Sequence, residues 1–288
     1  MKITCPRSSC QNQVYFQKDG HFFRKSDSKY IQRYRCRLCG KRTSTAQLSA
    51  CYGQKKRTLN KMVESLLCSK VSQRRIAKIL NIDKKTVHRK VIFLGIIASG
   101  KNQKFRDSLT SNKVHSIQID DMITKERTKL KPVTISSAVD PKTRKILALE
   151  AAAIPAFGHL SKISIEKYGK RRSQQNKSLT NLFEKLLPIT SETAIIRSDE
   201  HKYYPIYIKK YLPRSKHQQF KSLKAKTAGQ GELKKSASDP LYSINHTFGM
   251  MRDNLGTLVR QSWCVPQKIE MIQHRLEIYI NFHNSNLV

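Results

Sequence analysis

Two pairs of cysteines near the start of the chain limit its fold more than any other feature. Cys5 and Cys10 form C-x4-C, and Cys36 and Cys39 form C-x2-C followed at once by Gly40. A tight turn aims both sulfurs of such a pair at one point, so two pairs supply the four thiolates of a tetrahedral metal site. Gly40 suits a turn that needs an unusual backbone angle. A segment of roughly 45 residues buries little apolar surface, so the metal would supply its folding energy. The stretches 13–17, 21–24 and 30–35 read as short strands, with Asp19-Gly20 as a hairpin turn. The expectation is a zinc ribbon over residues 1–50, with Zn2+ on Cys5, Cys10, Cys36 and Cys39. Cys51, Cys68 and Cys264 complete a total of seven and read as ordinary thiols. An odd count at metal-ligand spacing points to a reducing, intracellular compartment.

The charge balance narrows the partner. The 288 residues carry 56 lysines and arginines against 20 acids, a formal net charge of +36. Self-repulsion on that scale calls for a polyanion, most simply nucleic acid. Residues 1–110 hold 26 of the basic residues and only 5 of the acids, so the N-terminal part is the denser in positive charge. Hydrophobic residues make up 38% of the chain, enough to fill a core and too many for a disordered basic tail. No run of 18 or more apolar residues reads as a membrane helix, and the N-terminal segment has no apolar stretch of a secretory signal.

Behind a basic linker at Lys55–Arg57, residues 55–100 read as a helix-turn-helix. Leu59–Leu67 forms a first helix. Ser72 then caps a helix that ends at Leu80, and Asp83 caps another over Lys84–Ile97. Ile76, Ile79, Leu80, Ile82, Val87 and Val91 fall on the inward side. Lys84, Lys85, Thr86, Arg89 and Lys90 are left on an outer face able to enter a major groove.

Residues 111–288 alternate as strands and helices. His115–Met122, Val133–Val139 and Lys145–Ala152 form an antiparallel meander with a turn at Asp140–Thr143. A helix follows near Gln175–Leu187, then a strand at Thr193–Arg197, a helix at Tyr204–Leu212, a strand at Gln218–Leu223 and a helix opened by Asp239-Pro240. That order describes an α/β domain of the ribonuclease-H-like kind. Asp120 follows the apolar run Ile117-Gln118-Ile119, and Asp199 follows Ala194-Ile195-Ile196. If those strands are neighbours, the two carboxylates share one sheet edge and can bind Mg2+ or Mn2+ facing a phosphate. Asp121 and Glu200 alternate to the other side. Residues 167–172 form a basic stretch that can hold a DNA strand or simply be solvated. The polar pairs Asn245-His246 and His283-Asn284 can make contacts near the acids. Trp263 reads as core, with base stacking as the other reading.

The order C-x4-C, C-x2-C-G, helix-turn-helix, Ile119-Asp120-Asp121, Ser198-Asp199-Glu200 and Ile244-Asn245-His246 resembles bacterial insertion-sequence transposases. The resemblance spans nearly the whole chain. It implies a zinc ribbon, a helix-turn-helix and a DDE-type catalytic domain. It implies Mg2+-dependent cleavage and strand transfer of double-stranded DNA, with binding to the terminal inverted repeats and to target DNA. A homodimer or higher oligomer is implied, as is a cytoplasmic, nucleoid-associated location. Asp120 and Asp199 would be the first two catalytic acids. The family's third acid, a Glu early on the last helix, has no match, because Phe248 and Gly249 stand where it is expected. Asn245 through its side-chain oxygen, or Asp253, is then the candidate third ligand. The alternative is a catalytically decayed transposase acting only as a sequence-specific DNA-binding protein.

Overall fold

The computed structural model describes residues 3–10, 15–221, 239–259 and 264–287. Trp263 and the end of the strand expected at 218–223 lie outside them, as do positions 13 and 14. Two compact units divide the chain at residues 62 and 63.

The first unit is a three-stranded antiparallel sheet in the order β1-β2-β3, formed by β1 (Phe16–Arg24), β2 (Lys29–Cys36) and β3 (Arg42–Ser44). The Asp19-Gly20 pair is not the hairpin turn. β1 runs straight through it, with a bulge between Lys18 and His21. Gly20 supplies the positive φ of 69° that the extra residue needs. The reversal comes at residues 25–28 instead. There Asp27 accepts two hydrogen bonds from the Arg24 guanidinium at 2.7 and 2.6 Å, and that pairing holds the Asp27 carboxyl below its ordinary range. Apolar burial in this unit is confined to the cysteines and a few neighbours.

The second unit begins within α1 (Asn60–Leu67) and continues through α2 (Gln73–Ile79) and α3 (Lys84–Leu109). Ser72 Oγ accepts from the Arg75 amide and Asp83 Oδ1 from the Lys85 amide, so both expected caps are in place. Asn81, at φ 47°, makes the turn between α2 and α3. α3 does not stop near Ile97. It runs on for 26 residues in all. Neither Gly95 nor Gly100 breaks it, because a helix with a packed face tolerates single glycines. The reason for Gly95 is steric, since a Cβ there would lie 2.6 Å from His274 Cβ on α8 (Ile269–Asn286). α3 therefore packs tightly along the C-terminal helix, and residues 63–109 share a core with the large sheet.

That sheet has five strands in the order β6-β5-β4-β7-β8. They are β4 (Val114–Lys125), β5 (Pro132–Val139), β6 (Ile146–Ala153), β7 (Thr190–Asp199) and β8 (Lys216–Phe220). β4, β5 and β6 are the antiparallel meander read from the sequence, while β4–β7 and β7–β8 are parallel. β5 and most of β6 are buried, β6 through a nearly continuous apolar run and β5 with the small polar residues Thr134, Ser136 and Ser137 among its apolar ones. One face carries α5 (Gln175–Leu186) and α6 (Tyr204–Tyr211), packed through Leu179, Leu182, Phe183 and Ile208. The other carries α7 (Tyr242–Asn254) and α8 through Ile244, Met251, Leu276 and Ile280. α4 (Leu160–Tyr168) is a helix the sequence pattern did not announce. The free edge of β6 is closed by two side chains of α8. Asn284 bonds both the N–H and the carbonyl of Ile146, each at 2.9 Å. Gln273 accepts from the Ala151 amide and donates to the Leu149 carbonyl, also at 2.9 Å. These amides stand in for a sixth strand and leave those backbone groups satisfied.

The two helical glycines of α3 are expected to respond oppositely to alanine. Gly95→Ala should destabilise the unit by about 1–3 kcal/mol through overpacking against His274. Gly100→Ala, with open space around it, should stabilise it by about 0.5–1 kcal/mol. Urea denaturation midpoints at equal m-values measure both.

Candidate metal centre and acidic cleft

The four N-terminal cysteines converge. Their sulfurs all lie within 4.8 Å of one another, and Cys5 and Cys39 approach to 3.4 Å. A tetrahedral ion with bonds of about 2.3 Å to sulfur needs separations of about 3.8 Å, so the set can hold a metal such as zinc. Cys5, Cys10 and Cys36 are buried. The second knuckle is built from backbone. The Gly40 amide donates to the Cys36 carbonyl at 2.9 Å, and Gly40 adopts φ 71°. The Cys36 amide in turn donates to the Lys41 carbonyl. A hydrogen bond from the Lys41 backbone lowers the Cys39 thiol to about 7. At Cys5 the Arg7 backbone pulls the thiol down, but burial and the neighbouring sulfurs outweigh it and raise it to about 11. Four crowded thiols cannot all ionise unless a cation offsets their charge. The donor set thus fits a divalent metal and is consistent with a zinc ribbon. Among the described residues no other set of three or more His, Cys, Asp or Glu ligands comes this close together.

The second cluster sits on the large sheet. β4 and β7 are parallel and in register at Ile119 and Ser198. The next residue on each strand is Asp120 and Asp199, so the two residues stand at the same level where β7 ends. β4 itself does not close at Asp120. It continues to Lys125 because its other edge keeps pairing with β5. Both aspartates are half-buried and line a cleft of about 780 Å3. Asp120 Oδ1 accepts from the Asp121 amide at 2.7 Å, and Asp199 Oδ1 from the His201 amide at 3.0 Å.

Side-chain alternation along β4 separates two environments. Gln118 and Asp120 face α7, and Asp121 faces α5. Gln118 is buried and spans both polar groups of the α7 entry. It donates to the Pro240 carbonyl and accepts from the Ile244 amide, each at 2.9 Å. On the far side, Asp121 Oδ2 accepts from Gln175 Nε2 at 2.7 Å, and that same nitrogen lies 3.4 Å from His201 Nε2. Beneath them Tyr204 is fully buried. Burial raises its phenol well above the ordinary value, and the negative charges of Asp121, Asp120 and Asp199 add to the shift. Three carboxylates therefore act on one buried phenol. Gln175, His201 and Tyr204 escape a reading of the sequence. Only His201, two residues past Asp199, carries any local signal.

Neither candidate third ligand lines the cleft. Asn245 lies in the first turn of α7, one residue after the amide that Gln118 holds. Its side-chain nitrogen donates to Asp239 Oδ2 at 2.8 Å. That bond uses the amide nitrogen, so Oδ1, the atom able to ligate a cation, is not committed by it. Asp253 is on another side of the helix, 78% exposed and 3.5 Å from Lys70. The α7 wall of the cleft is Phe248 and Arg252, and Lys125 and Lys129 add positive charge on the β4 side. His283 and Asn284 bond Arg144 and Ile146 and so belong to the α8–β6 junction.

Of the face expected to enter a groove, Lys84, Lys85 and Arg89 are exposed and Thr86 is half-buried. Lys90 is not on it. At 2% exposure it lies on the buried stripe with Val87, Val91 and Leu94, three residues after Val87 and so on the same side of the helix. Ile79 is likewise corrected, being 60% exposed rather than inward. In the basic stretch 167–172, Arg171 pairs with Glu126 at 2.8 Å and is not a solvated charge.

No protein-family model matches the chain, and no curated protein matches it.

Removal of the thiolate set should unfold the first unit. Cys36→Ser, or chelation of the wild type, should lower bound zinc from one equivalent to none by elemental analysis. Amides of residues 15–44 should lose hydrogen-exchange protection at the same time, and those of the second unit should keep it.

Proposed function

We propose that this chain is a DNA transposase that binds the terminal inverted repeats of an insertion sequence and carries out Mg2+-dependent strand cleavage and strand transfer. The observation that carries the reading is that Asp120 and Asp199 each follow the last register pair of two parallel strands, Ile119 and Ser198, and line one cleft with Lys125, Lys129 and Arg252. The strand order β6-β5-β4-β7-β8 supports a ribonuclease-H-like domain. The four-cysteine set supports a zinc ribbon. The net charge of +36 supports a nucleic-acid partner.

On this reading Lys84, Lys85 and Arg89, at the start of a helix-turn-helix recognition helix, hold and read the duplex. Lys125, Lys129 and Arg252 grip the backbone of the strand that enters the cleft. Asp120 and Asp199 hold Mg2+ or Mn2+, which needs only one or two carboxylates beside phosphate oxygens and water. The bound ion supplies activation of the attacking oxygen and stabilisation of the leaving one. Gln118 fixes α7 against β4 and so sets the cleft width at Asp120. Gln175 holds the Asp121 carboxylate on the α5 side. Hydrolysis breaks one P–O bond and forms another. Strand transfer repeats the displacement, with the freed 3′-hydroxyl as nucleophile on target DNA.

A decayed transposase that only binds DNA is favoured by one feature, the α7 wall, where Phe248 and Arg252 line the cleft and no α7 carboxylate does among the described residues. Labelled duplexes from the DNA flanking the gene separate the two readings. Asp120→Asn and Asp199→Asn are each expected to reduce nicking with Mg2+ or Mn2+ by roughly 10³-fold or more while duplex binding persists. Nicking retained in both variants would overturn the catalytic assignment. Binding by the wild type with no nick under either ion would leave the decayed reading.

The third ligand is tested in the same assay. Asn245→Ala should reduce nicking, whereas Asp253→Ala should leave it unchanged, since an exposed pair with a lysine contributes little.

A further inference from the structure

A second cleft of about 520 Å3 lies between the start of α2, the chain after α7 and the middle of α8. It differs in kind from the acidic one. Arg74, Lys84 and Arg275 line it with Gln73, and among the described residues no carboxylate does. Leu255 and Ile278 form part of its apolar wall.

The unusual member is Arg275. Its Nε and Nη1 are closed off from solvent and make no hydrogen bond to any described residue. Gln73 Nε2 is in the same condition. Every unpartnered group here is a donor. Burial lowers the Arg275 guanidinium to about 10, so it remains a cation at neutral pH. A guanidinium with two desolvated N–H groups that no acceptor satisfies is costly to the fold, and among the described residues the only cleft group that favours its charge is the Cys264 thiol. It is tolerable where a ligand brings the missing acceptor, and a planar fork beside an amide and two further cations suits an oxyanion.

We propose that this cleft is a phosphate site, with Arg275 as its central cation and Gln73, Arg74 and Lys84 as the other donors. The phosphate can come from a DNA backbone or from free phosphate, and the test separates the two. The site as such does not rest on the transposase reading. Only its attribution to a DNA phosphate does. If DNA is the source, α8 joins the duplex to α3, because Lys84 opens the helix whose exposed residues face the proposed groove.

The full-length protein is melted in rising inorganic phosphate, against chloride at equal ionic strength. The wild-type midpoint should rise by about 5–10 °C at a hundredfold excess over Kd. Arg275→Gln should show no such rise. Without phosphate it should melt no lower than the wild type, because it removes a desolvated cation whose buried donors have no acceptor. Arg74→Ala, at an exposed position, should weaken the response without affecting the fold. A flat wild-type response, an unchanged response in Arg275→Gln, or an Arg275→Gln protein several degrees less stable without phosphate would each overturn the site.

The second arm measures duplex binding by fluorescence anisotropy across a salt series. If DNA supplies the phosphate, Arg275→Gln should reduce the magnitude of the log–log salt slope by about 0.9. An unchanged slope with a positive melting response assigns the site to free phosphate. A wild type that binds no duplex at all refutes the transposase reading and leaves the melting result standing on its own.

Discussion

The parallel pairing of β4 with β7 is the constraint from which the acidic cleft follows. β4 is the central strand, antiparallel to β5 on one edge and parallel to β7 on the other. Parallel neighbours must be joined by a long connection, and here it runs through β5, β6, α4 and α5. Both strands then point the same way, and residues in register arrive at the same height. A slip of one residue in either strand would turn Asp120 or Asp199 to the opposite face. The apolar residues that precede them, Ile117, Ile119, Ala194 and Ile196, are buried. The same hydrophobic pattern that builds the core therefore sets the relative height of the two carboxylates.

Much of this was legible in the sequence because it is encoded locally. The four thiolates announce themselves by spacing and a following glycine. Ser72 and Asp83 are helix caps that need no tertiary information. The meander and the strand before Asp199 show as apolar runs with turn residues between them. The failures have a common physical source in tertiary context. α3 outruns the expected helix because α8 packs along it, and no local signal reports a helix so far along the chain. Lys90 looks like a groove-facing cation, yet its position in the 3.6-residue period puts it on the buried side. Asp19-Gly20 is a good hairpin dipeptide, but a glycine with positive φ serves a bulge equally well. Gln118, Gln175 and Gln273 look like ordinary polar residues, and only the fold reveals that each satisfies groups from a distant element.

Those buried amides are the means by which helices are seated on the sheet. Gln118 holds the entry of α7, and Gln273 and Asn284 cover the open edge of β6. A charge network adds to them. Lys185 of α5 bonds Glu150 of β6 and lies 3.6 Å from Glu277 of α8, which also accepts from Asn102 of α3 at 2.7 Å. Four elements thus meet around one lysine. Loss of a single partner would leave a buried carboxylate uncompensated, which is far more damaging than loss of a surface pair. The region that carries the candidate groove-binding face is thereby tied to the sheet that carries the acids, through α3.

The acidic cleft sets two opposite electrostatic conditions for a phosphate. Asp120 and Asp199 repel it, and only an intervening cation reverses that sign. Lys125, Lys129 and Arg252 attract it whether or not such a cation is present. Binding and chemistry are therefore separable under the proposed function. The positive surface would retain DNA by itself, and the carboxylate pair would discourage close approach of the backbone until a divalent ion arrives. An acidic pair inside a chain of such positive charge has little value as a binding device. Its place in a cleft lined also by Lys125, Lys129 and Arg252 is what the proposed metal-dependent work on a phosphodiester would use.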